Sequence, residues 1–257
     1  MKIVLHIFRI LSVFCISLFV TGYAGFSYAD PAAESTSSQP LVVVELFTSQ
    51  GCSSCPPADE LLARLSRQKN ILALGFSVDY WNYLGWKDTL ARPDCTIRQK
   101  KYNKSLGKSG VYTPQMIIQG RHDVIGSRAD LVQNILDKTQ VELRAQHPAP
   151  AIIFTATGDM INLKIGPDVM ADNTAATIWV IGYDFERTVN IRKGELAGQV
   201  RKYHNVVQSI KHIGHWTGKE IKLTLSKDDM GDRQYDGYAL ILQNKETGPI
   251  ITAAKLK

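Results

Sequence analysis

The stretch "LVVVELFTSQGCSSCPPADELLARLSRQ", Leu41 to Gln68, decides how this chain is read. It opens on a short apolar run rich in β-branched residues, bounded by polar and glycine-containing sequence, as a buried strand would be. It closes on a helical pattern: Ala58, Leu61, Leu62 and Leu65 fall at helical spacing, and Pro56 and Pro57 are tolerable only near the beginning of a helix. Between the two stand Cys52 and Cys55, three residues apart. Such a pair can be a redox couple, half of a metal site or a structural staple.

The elements that follow narrow the choice. "ILALGFSV" reads as a second buried strand, reached by a crossover and therefore parallel to the first. "PDCTIRQKKYNKSL" reads as a helix with Cys95, Tyr102 and Leu106 along one stripe. "PQMIIQGRHDVIG" gives two short strands folding back about Gly120, and "SRADLVQNILDKTQ" a closing helix. Ser127 and Asp130 supply a capping signal there, with Leu131, Val132, Ile135 and Leu136 as the buried face. The order β-α-β-α-β-β-α predicts an α/β thioredoxin-like domain over 41–147 if the last two strands pair antiparallel. "AQHPAPA", Ala145 to Ala151, reads as a linker because its prolines interrupt any regular element. From Ala151 the apolar period becomes two. "AIIFTAT", "INLKI", "TIWVIGY", "TVNIR", "NVVQSIKHI", "IKLTLS", "YALILQ" and "IITAAKL" predict an all-β, sandwich-like C-terminal domain over 148–257. Such a domain could present substrates, dimerise or cap the first domain.

The N-terminus sets the compartment. Met1 to Ala29 is basic, then apolar, then small, the pattern of a secretory signal peptide cleaved after Ala29. Its apolar core is well short of the ~20 residues a bilayer span needs, so no permanent membrane anchor is expected. Cys15 lies inside that core and is discarded with it, leaving three cysteines in a periplasmic or secreted protein. "DPAAESTSSQP", residues 30–40, reads as a polar, disordered leader. Removing Lys2 and Arg9 and no acid leaves 28 basic against 24 acidic residues, a balance too mild to name a nucleic-acid partner. "RQKKYNK", Arg98 to Lys104, has the look of a solvated helix face.

In the predicted arrangement Cys52 lies where the first strand gives way to the helix, where unpaired N–H groups and the helix dipole favour a thiolate. Cys52 is then the nucleophile and Cys55 the resolving thiol. Pro114, opening the third strand in "VYTPQM", is the candidate for a cis-proline facing the pair, with the Thr113 backbone free to pair with an extended substrate. Glu45, seven residues before Cys52 in an otherwise apolar strand, is a candidate proton acceptor, an edge residue facing solvent or a structural hydrogen-bonding group. The second strand ends at the same sheet edge as the first, so "DYWNYLGWKD", Asp79 to Asp88, should emerge beside the cysteines. Tyr80, Trp81, Tyr83 and Trp86 there form either a substrate platform or packing over the sheet edge. His204, His212 and His215 lack the neighbours of a metal site, and no resident metal or cofactor is expected. Cu(I) held by Cys52 and Cys55, with Met116 or a histidine completing the site, is a rival reading, since soft thiolates select it. Cys95 sits on an apolar stripe, which favours burial.

"VVVELFTSQGCSSCPPADELL", "SVDYWNYLGWKD", "VYTPQMIIQG" and "YHNVV" resemble the hallmark segments of a secreted bacterial family of thioredoxin-like proteins, domain of unknown function 1223. The resemblance runs over nearly the whole mature chain. It implies a thioredoxin-like core, an export signal and a β-rich C-terminal part, and it implies no substrate. Residues and resemblance together predict a periplasmic thiol-disulfide oxidoreductase acting on protein thiols or disulfides. The alternatives are a Cu(I) carrier using the same cysteines and a secreted binding module with a structural disulfide. Ser53 and Ser54 do not set the direction of electron flow, and no feature sets the oligomeric state.

Overall fold

Residues 33–36, 40–146, 148–168, 175–231 and 234–256 are described in a computed structural model of the chain. The export segment expected over 1–29 lies outside the described residues. The strands are β1 (Ala33–Thr36), β2 (Val42–Thr48), β3 (Ile71–Ser77), β4 (Gln115–Ile118), β5 (His122–Ile125), β6 (Ile152–Thr157), β7 (Met160–Ile165), β8 (Ala176–Asn190), β9 (Val200–Trp216), β10 (Ile221–Ser226), β11 (Gly237–Asn244) and β12 (Ile250–Leu256). Among the described residues three α-helices accompany them: α1 (Pro56–Leu65), α2 (Pro93–Ser105) and α3 (Ala129–Ala145). The result is a mixed α/β fold in which strands dominate.

β2 and β3 are buried along their whole length, as strands covered on both faces must be, which is why they read as continuous apolar runs. They pair parallel, and β4 pairs antiparallel with β2 on its other side. α1 and α3 cover one face, burying Leu61, Leu62, Leu65, Val132 and Leu136 against Val42, Val44, Leu46 and Met116. α2 covers the other, setting Cys95 and Tyr102 against Val43, Phe47, Phe76 and Ile117. Each such side chain, fully buried, contributes about 1.5–3 kcal/mol.

The sheet does not stop at the expected linker. It has eight strands in the order β12-β11-β8-β9-β3-β2-β4-β5, drawing on both halves of the chain. The seam is the parallel contact of β3 with β9 at Gly75 and Val206, reinforced where Asn205 Nδ2 donates to the Ala73 carbonyl at 2.8 Å. Gly75 permits the approach: a Cβ there would stand 3.2 Å from the His204 carbonyl oxygen and from Leu62 Cδ2. Gln119, just after β4, links β2 to the edge strand β12, its N–H bonding Val43 and its backbone and side chain both bonding Ile250. A second sheet, β1-β6-β7-β10, packs Phe154, Ile161, Leu163 and Ile165 against Ile178, Val180, Leu240 and Leu242 of the first.

Four local expectations are corrected. The leader read as disordered contributes β1, because the edge of β6 offers unpaired backbone groups that a short extended segment can fill. "TIWVIGY" and "TVNIR" are not two strands but parts of β8, bent at register shifts after Ile178 and Gly182 rather than broken by a turn. Ser127 does not cap α3; Arg128 holds that position, without a side-chain cap, and forms an ion pair with Asp130 at 3.5 Å. Leu131, expected on the buried face, is 40 % exposed, and Thr139 is buried instead.

Candidate functional site

β2 ends at Thr48, and the chain turns through Ser49, Gln50 and Gly51 into the cysteines. Cys52 N–H bonds the Ser49 carbonyl at 3.2 Å, and Cys55 N–H bonds the Cys52 carbonyl at 3.2 Å. Cys52 and Cys55 form a disulfide. Cys52 is 3 % exposed and Cys55 fully buried, while Ser53 and Ser54 between them face solvent. The Ser54 hydroxyl lies 3.5 Å from Cys52 Sγ, and with that sulfur in a disulfide only the hydroxyl has a proton to give.

The helix begins later than expected. Cys55 occupies the N-cap of α1, so Cys52 sits a turn outside it. Pro56 and Pro57 fill the first helical positions and carry no N–H, and the next two donors, Ala58 and Asp59, both bond the Cys55 carbonyl. The donors usually left open at a helix N-terminus are therefore absent or used here.

Glu45 is not oriented toward the pair. Strand alternation puts it on the α2 face with Val43 and Phe47, and both its oxygens are engaged: Arg98 Nε and Nη2 donate at 2.6 and 2.9 Å and Tyr102 Oη at 2.7 Å. The Arg98 guanidinium also lies 5.1 Å from the Tyr102 ring and 5.2 Å from that of Trp179, a buried cation. Of the three roles open to Glu45, the structural one matches this position. The buried carboxylate on α1 is Asp59, one turn beyond Cys55. It is 5 % exposed, accepts a hydrogen bond from Thr48 Oγ1 at 2.8 Å, and burial pushes its pKa up to about 7. Its signal in the sequence was an acid on the apolar side of an amphipathic helix, at the spacing of Cys55 plus four.

The aromatic segment does emerge beside the cysteines. Gln50 fastens it: its N–H donates to Asp88 Oδ2 and its Oε1 accepts from Trp86 Nε1, both at 2.8 Å. Burial raises the Asp88 pKa from its ordinary value. Trp81 lies against Gly51, where a Cβ would stand 3.0 Å from Trp81 Cβ, and its Nε1 donates to Thr113 Oγ1 at 2.8 Å. Tyr80 stacks obliquely on Trp81, and Tyr83 is 78 % exposed. The Thr113–Pro114 bond is cis, and the pairing of Phe47 with Gln115 puts Pro114 level with the end of β2, where the cysteine turn begins. Trp81 thus ties the cysteine turn to Thr113.

A third segment reaches the site from the far half of the chain. The tip of the β8–β9 hairpin, residues 191–199, brings Glu195 Oε2 to within 3.3 Å of the Ser53 N–H, and Arg201 contacts the Pro56 carbonyl and Glu60. No local pattern in the sequence announced Glu195.

The model of the family described as protein of unknown function (DUF1223) matches residues 43–243. The chain belongs to this family. A crystal structure of a protein from Agrobacterium tumefaciens is 33 % identical, with a TM-score of 0.72 over 86 % of this chain and 96 % of that one. HBP35 of Porphyromonas gingivalis is similar in fold, at 15 % identity and a TM-score of 0.55 over 86 % of this chain and 76 % of that one. No curated protein matches. In this DUF1223 chain Met116 is buried in the core with Leu46 and Ala58. His204 lies 3.8 Å from Glu186, and the rings of His212 and His215 lie 4.6 Å apart. Among the described residues no three His, Cys, Asp or Glu side chains are grouped to hold a metal, and no helix is long and apolar enough to cross a membrane. Cys95 is buried, and burial holds its thiol well above the ordinary range.

Proposed function

We propose that this DUF1223 protein is an exported thiol-disulfide oxidoreductase in which a thioredoxin-like layer, 41–147, carries the Cys52–Cys55 pair and a sandwich-like layer, 148–257, closes over it. The observation that carries the reading is the pair itself: two cysteines in disulfide, set in the turn between β2 and α1, with a buried acid of raised pKa on the same helix. The order β3-β2-β4-β5, with α1 and α3 on one face and α2 on the other, supports the thioredoxin-like assignment.

In the reductive direction the Cys52 thiolate attacks a substrate disulfide, forming a mixed disulfide and releasing one substrate thiolate. Cys55 then loses its proton to Asp59 and attacks Cys52 Sγ. The Cys52–Cys55 bond forms, the mixed disulfide breaks, and the second substrate sulfur leaves as a thiolate that takes the proton back from Asp59 or from water, two electrons having passed from the pair to the substrate. The reverse sequence oxidises a substrate dithiol. The Ser54 hydroxyl stabilises sulfur anion at Cys52. Thr113 and Pro114 hold an extended substrate strand, and Tyr80, Trp81 and Trp86 wall the approach. The partners are protein thiols or disulfides of an oxidising compartment, and no nucleic acid or membrane anchor enters the reading.

The test is equilibration of the purified protein with glutathione buffers, with thiolate absorbance followed against pH. A potential between about −270 and −120 mV with a titrating Cys52 thiolate is expected of a working oxidoreductase. A potential below about −300 mV with no accessible thiolate would mean a structural disulfide and would sink the proposal.

A further inference from the structure

The β8–β9 hairpin tip is a built feature. Ile191 and Leu196 are buried beneath it. Four backbone bonds close it, Ile191 to Gln199, Gly198 to Ile191, Ala197 to Gly194 and Gln199 to Leu196. Gly194, at φ 82°, fits against Trp86, where a Cβ would come within 3.3 Å of Trp86 Cβ. The turn therefore fixes the backbone at Glu195, whose exposed carboxylate accepts from the N–H of Ser53, the residue that follows Cys52.

That N–H belongs to the residue next to Cys52, at a turn where several other backbone donors are absent or already used. Pro56 and Pro57 offer none, and those of Cys55, Ala58 and Asp59 are taken by backbone carbonyls. Glu195 thus removes a donor and brings a negative charge to the place where the reduced pair develops its own. Other ionisable groups around the turn have partners of their own. Asp88 is bonded to the N–H groups of Gln50 and Leu90, Asp59 is tied to Thr48, and Arg201 faces Glu60 on the flank of α1. Arg192 and Lys193 on the tip and Lys87 on the aromatic segment are exposed.

We infer that Glu195 sets the redox poise of the Cys52–Cys55 pair, disfavouring the Cys52 thiolate and biasing the pair toward its disulfide. This deepens the proposed function and rests on it. The equilibrium concerned balances as pair disulfide plus two glutathione thiols giving the pair dithiol plus one glutathione disulfide.

The test compares the full-length mature protein with E195Q, which keeps an oxygen to accept from Ser53 while losing the charge, and with E195K. The expected result is a graded response. The Cys52 thiolate pKa falls by about half a unit in E195Q and about twice that in E195K, and the equilibrium constant for reduction by glutathione rises about three-fold and about ten-fold. Both shifts shrink in 1 M salt, where the screening length drops to about 3 Å. A wild-type pair that titrates and equilibrates, with variants indistinguishable from it, overturns the role of Glu195 and leaves the oxidoreductase reading intact. So does a shift equal in both variants and indifferent to salt, which would report loop geometry instead of charge. A wild-type pair that neither titrates nor equilibrates overturns both.

Discussion

Asp59 and Glu45 are both buried carboxylates, and they have different partners. Asp59 has one neutral donor, Thr48, and burial lifts its pKa to about 7, so the folded protein holds a proton that the unfolded chain releases near pH 4. The unfolded state binds fewer protons between those values, and stability falls as pH rises through that window, by as much as about 4 kcal/mol. D59N escapes this loss. Urea melts should find it more stable than wild type at pH 8, by about 1–3 kcal/mol, and nearly equal at pH 4; parallel curves would refute the assignment. The same substitution should slow thiol exchange at least about ten-fold if Asp59 takes the Cys55 proton. Glu45 is instead paired with Arg98 and Tyr102. E45Q leaves a buried guanidinium uncompensated and should cost about 3–5 kcal/mol in a denaturant melt, while leaving the potential of the pair unchanged. A shifted potential with normal stability would restore Glu45 to the chemistry.

At the scale of elements, the aromatic segment is held by side-chain bonds from its tryptophans to loops on either side: Trp86 to Gln50, Trp81 to Thr113. W81F removes the second bond while keeping the Cβ against Gly51 and an aromatic ring in place. Cys52, 3 % exposed, should then be reached faster by a small reductant, and the rate of reduction by dithiothreitol is the readout; an unchanged rate would mean that the segment does not control access. β3 and β9 depend on a different device, a glycine. G75V forces a branched side chain between the His204 carbonyl and Leu62 and should destabilise by about 1–3 kcal/mol, visible as a lowered urea midpoint.

For the whole molecule the question is cooperativity. Ile181, Tyr183, Val207, Ala239, Ile241 and Ala253 share one core with Val43, Phe47, Leu74 and Ile117, and the sheet runs through that core without interruption. The two halves cannot open separately without exposing this surface. Calorimetry should show one transition, with its van't Hoff and calorimetric enthalpies equal. Two resolved transitions would mean that the Gly75–Val206 seam is weaker than its packing indicates. The arrangement also explains how a C-terminal hairpin reaches the cysteines: β8 and β9 are 15 and 17 residues long, enough to span the sheet and project past its edge.

What the sequence determined by itself was local. Apolar runs and helical spacing found β2, α1, β3, α2 and the β4–β5 pair, because burial on one or two faces leaves a period in the residues themselves. The position of the cysteines between a strand and a helix followed from the same pattern. The tertiary structure decided everything that depends on which way a side chain faces or on what arrives from elsewhere in the chain. Strand alternation turned Glu45 away from the cysteines, and helix geometry carried Asp59 inward. The long bent strands β8 and β9 brought Glu195 to Ser53, 142 residues away along the chain. A contact at that separation leaves no period in either segment, so it becomes visible only when the sheet is assembled.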